Sequence, residues 1–141
     1  MVTFTLNGKV VSAKEGTTIL EAARQNGVDI PHLCYDKNLS SFGGCRLCVV
    51  EVEGAKTLIA SCTNEVREGM VVRTESENVV NVRKDIIDLL LASHPEDCLT
   101  CEQTGNCKLQ DYAYRYGVKR SSYKGAKKNY PIESLNPVME R

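Results

Sequence analysis

The feature that most constrains this chain is the placing of its seven cysteines and of His94, which fall into two blocks with the spacing of metal-cluster ligands. The first block is Cys34, Cys45, Cys48 and Cys62, and the second is His94, Cys98, Cys101 and Cys107. An odd number of cysteines leaves one thiol over in any disulfide framework, and a reducing compartment would not hold such a framework. Four soft thiolates in one block, and three thiolates with an imidazole in the other, suit two iron-sulfur clusters better than a catalytic or disulfide scheme. Metal ligation uses all seven.

The chain has 141 residues, 42% hydrophobic and 26% charged, which is the composition of a soluble globular protein. Split into two small units, it buries too little apolar surface for comfort, so bound clusters supply part of the folding free energy. The formal net charge is zero, which gives no global argument for nucleic acid or an anionic membrane. No stretch is apolar enough for a transmembrane helix, and Met1-Val2-Thr3-Phe4 lacks the basic and apolar regions of a signal peptide. These features predict a cytoplasmic location.

Val2, Phe4 and Leu6 alternate with polar residues, and Asn7-Gly8 then turns the chain into Lys9 to Ala13, predicting a β-hairpin. A helix follows, with Thr18 and Glu21 as a capping box, Ile19, Leu20 and Ala23 on its apolar face, and Gly27 at its end. Three strands are predicted next, at Leu47 to Val52, Leu58 to Ser61 and Val71 to Thr74. The order is ββ-α-β-β-β, that of an α+β fold. A mixed sheet packed on one main helix is the β-grasp (plant-ferredoxin-like) arrangement, although order alone does not single it out. From Ser76, a plausible N-cap, the period becomes helical, with Val79, Val82, Ile86, Leu89 and Leu90 on one face up to Ala92. Pro95 stops that helix near His94, and a short helix from about Lys108 to Tyr116 ends at Gly117. Beyond it, Lys119, Arg120, Lys124, Lys127 and Lys128 stand without an acid, either as a solvated tail or as an ordered basic strap against a partner or a longer polypeptide.

In the first block, Cys45-Arg-Leu-Cys48 places two thiolates on one tight turn, with Cys34 and Cys62 closing the site from separate elements. Gly43-Gly44 gives the close backbone approach and positive φ that bring amide N–H groups onto a cluster. A structural zinc uses the same C-x2-C element, but a zinc ribbon carries two such knuckles and this block has one. His32 lies two residues before Cys34, yet four thiolates leave it no ligand role. The runs Ile30-Pro31-His32-Leu33-Cys34-Tyr35, Gly43-Gly44-Cys45-Arg46-Leu47-Cys48 and Ala60-Ser61-Cys62-Thr63 resemble the N-terminal 2Fe-2S domain of a known family. That family includes the large iron-sulfur subunit of NADH dehydrogenase (complex I), iron-only hydrogenases and NAD-linked formate dehydrogenases. The resemblance covers residues 1–75 and implies Cys34, Cys45, Cys48 and Cys62 as the 2Fe-2S ligands.

The second block reads H-x3-C-x2-C-x5-C. A lone histidine at a helix end is usually a cap or surface residue, but three clustered cysteines call for a fourth donor and His94 is the best placed. This segment, with Leu109-Gln110 and Tyr112-Ala113, resembles the histidine-ligated 4Fe-4S motif of the same family. The resemblance implies a small, mainly helical 4Fe-4S domain over residues 76–117, with His94, Cys98, Cys101 and Cys107 as ligands, followed by a basic tail over 118–141. A neutral imidazole in place of a thiolate raises the cluster potential, other things equal.

No GxGxxG fingerprint, P-loop or nucleophile motif is present, so no catalytic site of its own is predicted, and NAD(P)H or flavin would bind a partner. The resemblance implies an electron-transfer subunit or domain, relaying single electrons between a flavin- and NAD(P)H-binding subunit and a catalytic oxidoreductase subunit in a hetero-oligomer. The alternative is a zinc-stabilised interaction module. Because bound metal carries part of the folding free energy, stripping iron with a chelator is expected to lower the thermal unfolding midpoint followed by circular dichroism; an unchanged transition would contradict this.

Overall fold

The alternation at the N-terminus builds the first hairpin in a computed structural model that describes residues 1–95 and 97–127. Strand β1 (Val2–Leu6) pairs antiparallel with β2 (Lys9–Ala13), with Leu6 opposite Lys9. Asn7 and Gly8 between them have φ of 50° and 81°, the two left-handed residues of a primed turn. The side chain of Asn7 also reaches Thr74, so the turn is tied to the far end of the unit.

Helix α1 (Ile19–Gln25) starts where predicted. The Thr18 hydroxyl accepts from Glu21 N–H at 3.3 Å, while the Glu21 carboxylate accepts from the Tyr35 hydroxyl and from Arg24. Only the first half of the capping box therefore forms among the described residues. Gly27 (φ 75°) turns the chain out of the helix, and Val28 N–H bonds back to Ala23. Three further strands, β3 (Val49–Val52), β4 (Ile59–Ala60) and β5 (Val71–Arg73), complete a mixed sheet of order β2-β1-β5-β3-β4. Strand β5 runs parallel to β1 and antiparallel to β3. The predicted order is thus the observed order, with each of these three strands shorter than expected at its ends.

One core fills this unit, from Phe4, Leu6, Ile19, Leu20, Ile30, Val50 and Val72, and Cys48 and Cys62 belong to it. A second core joins Leu47 and Ile87 to Tyr112 and Tyr116. It lies between α2 (Glu77–Ala92), α3 (Lys108–Tyr116) and the loop that carries the C-x2-C turn. Ser76 caps α2 by accepting from Val79 N–H, as predicted, and Gly117 (φ 71°) ends α3.

The buried face of α2 differs from the predicted one. It presents Val79, Arg83, Ile87 and Ala92, whereas Leu89 is 55% exposed. The i, i+4 row of Val79, Arg83 and Ile87 wins because it places Arg83, fully buried, beneath the backbone of Leu47 and Val49. A periodicity reading counts an arginine as a surface residue and so rotates the helix by one position.

The segment after Gly117 touches α2 through Ser121, Ser122, Gly125 and Lys127, while most of its residues up to 127 are exposed. Ser121 and Ser122 hydroxyls donate to the Asp88 carboxylate and hold it below the usual carboxylate range. Lys127 Nζ donates to Leu91 O at 2.9 Å, close to where a Cβ at Gly125 would meet Ala92 O at 2.4 Å. Lys128 and the rest of the predicted basic tail lie outside the described residues. No described helix is long and apolar enough to cross a membrane.

Leu47 is fully buried and is the first unit's contribution to the second core. Leu47→Ala is therefore expected to destabilise the protein by about 2–5 kcal/mol, read as a lower thermal midpoint. Leu89→Ala, at an exposed position of the same core's helix, is expected to change stability by less than about 0.5 kcal/mol.

Candidate metal centres

The loop after α1 begins at Ile30-Pro31, both buried, and delivers Cys34 to the surface of the first core. It returns through Gly43, whose φ of 66° is left-handed and whose Cβ, if present, would press on Thr63 at 3.3 Å. At Gly44 a Cβ would stand 2.2 Å from the Phe42 ring. The two glycines thus do different work: one supplies the positive φ, the other the close approach. Arg46, between Cys45 and Cys48, holds a φ of 58° that non-glycine residues seldom adopt, a strained conformation at the centre of the turn.

Cys34, Cys45, Cys48 and Cys62 are brought together. Cys45 N–H donates to Cys34 Sγ at 3.4 Å. The Cys62 thiol is pushed up to about 12 by burial, then by its hydrogen bond with Cys48 and by the charges of Cys48, Cys34 and Cys45. Burial also works against a Cys45 thiolate, but backbone hydrogen bonds at Leu47, Cys34 and Leu33 and the Cys34 thiol outweigh it and hold Cys45 below the usual thiol value. Four interacting sulfurs, with backbone N–H groups on Cys34 and Cys45, form a donor set that fits a cluster with anionic sulfur. Cys62 is oriented from the strand side: Ser61, fully buried, donates its hydroxyl and its N–H to Cys48 O at 2.7 and 3.2 Å.

The second set is arranged differently. His94 is exposed, one residue past the Ser93 C-cap of α2, with its N–H bonded to Leu91 O. Cys98 is exposed, and Cys101 and Cys107 are half-buried on a loop of successive turns. Thr100 N–H bonds to Asp97 O, Thr104 N–H to Cys101 O and Asn106 N–H to Gln103 O. Gly105 N–H bonds to Gln110 Oε1 at 3.0 Å, and Cys107 is the N-cap residue of α3 without using its side chain as a cap. That leaves the Cys107 thiol free of a capping bond. Among the described residues, no three His, Cys, Asp or Glu side chains converge tightly enough to hold a single metal ion.

The sequence reading missed two residues that join the sites. Arg83 grips the Cys45–Cys48 turn, and its signal was a charge in the middle of an i, i+4 apolar row. Tyr112, on α3, exchanges hydrogen bonds with the backbone of His32: it accepts from His32 N–H and donates to His32 O, both at 3.3 Å. His32 itself bonds through Nδ1 to Ile30 O, in keeping with its predicted structural role.

Comparison with known proteins agrees with this geometry. Residues 1–77 match the family described as 2Fe-2S iron-sulfur cluster binding domain, and residues 83–122 match the NADH-ubiquinone oxidoreductase-G iron-sulfur binding region. The chain is 45% identical over 147 residues to the NADP-reducing hydrogenase subunit HndD of Solidesulfovibrio fructosivorans, covering 100% of this chain and 25% of that protein. It is 37% identical over 140 residues to the subunit of NADH-quinone oxidoreductase designated G, from Rickettsia bellii, covering 99% of this chain and 21% of that protein. A crystal structure of an NAD+-reducing [NiFe]-hydrogenase in the H2-reduced state superposes with a TM-score of 0.87 at 36% identity, over 96% of this chain and 57% of that one. The chain thus spans a quarter or less of the length of these two curated relatives. The zinc-module alternative gives way to two iron-sulfur matches in tandem. With more than half of its length in the first match, the chain belongs to the 2Fe-2S iron-sulfur cluster binding domain family, and its cofactors are a 2Fe-2S and a 4Fe-4S cluster.

Proposed function

We propose that this chain is an electron-relay module of an NAD(P)H-linked oxidoreductase of the hydrogenase, formate dehydrogenase or NADH dehydrogenase type. The observation that carries the reading is the gathering of the four first-block thiols, with backbone hydrogen bonds that favour the Cys45 anion, beside a loop on which α2 and α3 pack. Residues 1–75 form a β-grasp unit in which Cys34, Cys45, Cys48 and Cys62 hold the 2Fe-2S cluster. Residues 76–117 form the 4Fe-4S unit, with His94, Cys98, Cys101 and Cys107 as ligands, and 118–141 is the basic extension. When bound, the clusters supply one-electron redox chemistry that no side chain here could supply.

The chain's own residues bind, orient and shield. The backbone around Leu47, Cys34 and Leu33 already favours the Cys45 anion, which suits it to ligate. Burial opposes an anion at Cys62, so its ligation is coupled to loss of a proton. Cys48 and Cys62 are each 1% exposed, which keeps water from one side of the site. As a ligand, His94 would tie the second site to the end of α2, the helix that packs against the Cys45–Cys48 turn.

The proposed partners are a flavin- and NAD(P)H-binding subunit on one side and a catalytic oxidoreductase subunit on the other, a reading supported by relatives that are named as subunits of a hydrogenase and of NADH-quinone oxidoreductase. The expected setting is a cytoplasmic hetero-oligomer.

Anaerobically purified, chemically reduced protein is expected to give two paramagnetic resonance signals, one persisting to higher temperature and one confined to the coldest spectra, with about six irons per chain. A protein that binds no iron when reconstituted would sink the reading. His94→Ala is expected to keep the first signal and lose or alter the second, with iron falling toward about two per chain. If both signals are unchanged, His94 is only a helix-end residue.

A further inference from the structure

A fully buried guanidinium stands directly behind the Cys45–Cys48 turn. Arg83 Nε donates to Leu47 O at 3.2 Å and Nη2 to Val49 O at 2.9 Å. Its Nη1 donates to Glu75 Oε1 and to the Tyr116 hydroxyl, both at 2.8 Å. A charge withdrawn this far from water is tolerated only when its donors are met, and removing it alone would cost the bonds to Leu47 O, Val49 O and Glu75. The placing of such a charge behind a turn that carries two candidate ligands calls for a reason.

The geometry of the peptide provides one. In a trans peptide the C=O and the following N–H point in opposite directions, so holding Leu47 O against Arg83 turns Cys48 N–H away from the guanidinium. A cation at the oxygen end of an amide also strengthens the donor at its nitrogen end. Arg83 thus fixes and polarises the peptide that immediately precedes a candidate ligand, on a turn where backbone amides already favour an anionic sulfur. Glu75, the counter-charge, is 43% exposed and also receives Arg115 and the Tyr116 hydroxyl, so water and neighbouring donors weaken its compensation.

We infer that Arg83 is a positioning residue for the 2Fe-2S centre: through the Leu47–Cys48 peptide and its own charge it favours the state carrying one more electron, and Glu75 offsets it. This rests on the reading of Cys34, Cys45, Cys48 and Cys62 as the ligands of that centre. The effect is electrostatic and local. It is larger at the turn Arg83 touches than at the loop bearing Cys98 and Cys101.

The test is a redox titration of the cluster-loaded 141-residue chain, following both paramagnetic signals in wild type, Arg83→Met and Glu75→Gln. Arg83→Met is expected to shift the 2Fe-2S midpoint to lower potential. Glu75→Gln keeps volume and hydrogen bonding but removes the anion, and is expected to shift it to higher potential. The 4Fe-4S midpoint should move less in both. Should Arg83→Met fail to yield loaded protein, Glu75→Gln decides alone. An unmoved 2Fe-2S midpoint in Glu75→Gln, or equal shifts of both signals, would overturn the inference. Lack of a 2Fe-2S signal in the wild type would instead overturn the ligand assignment.

Discussion

The buried guanidinium of Arg83 is what lets two small units share one frame. It comes from α2, reaches the backbone of the ligand turn in the first unit, and meets Tyr116 of α3 in the second. Burying a charge is costly, and taking away one partner of a buried charged pair typically costs about 3–5 kcal/mol. Every element that supplies an acceptor is therefore held in place by the others. Glu75, in the short link between β5 and α2, closes the arrangement by accepting from Arg83, Arg115 and Tyr116 together. Arg115 in turn reaches Asp29, just before the ligand loop.

Against that fixed frame, the first ligand set is graded. Cys45 sits where the backbone favours its anion, and Cys62 sits where burial and its neighbours oppose one. The neighbouring thiols are one cause of the raised Cys62 value, so an anion at Cys62 is disfavoured by burial and by the groups around it. The strained φ of Arg46 and the closeness of Phe42 to Gly44 lie in the same loop as Cys45 and Cys48.

Much of this was legible in the residues. Turn and cap chemistry is local, so Asn7-Gly8, Thr18, Gly27, Ser76 and Gly117 marked their elements correctly. Cysteine spacing is also local, which is why the two clusters could be expected from it. What could not be read depends on contacts between distant segments. The buried face of α2 was set by acceptors some 34 to 36 residues away, on Leu47 and Val49, and hydrophobic periodicity carries no record of them. For the same reason Tyr112 could be noted within a motif but not as a partner of His32, 80 residues earlier. The segment after Gly117 looked solvated because it is basic, while its order comes from two serines meeting Asp88.

The contacts of Tyr112 and Arg83 share one property that bears on electron transfer. Each meets the first unit within a residue or two of a candidate ligand: Tyr112 grips His32, two before Cys34, and Arg83 grips Leu47, one before Cys48. Leu47 also places its side chain in the second core, beside α2 and α3. The loop bearing Cys45 and Cys48 is therefore itself the surface on which α2 and α3 pack. A relay needs a fixed separation between its centres more than it needs any particular fold, because both centres must be oriented before an electron arrives. Building the interface from the neighbours of the ligands sets that separation with the fewest intervening soft contacts. A displacement of either unit would have to distort a ligand turn directly, and the buried hydrogen bonds of Arg83 oppose it.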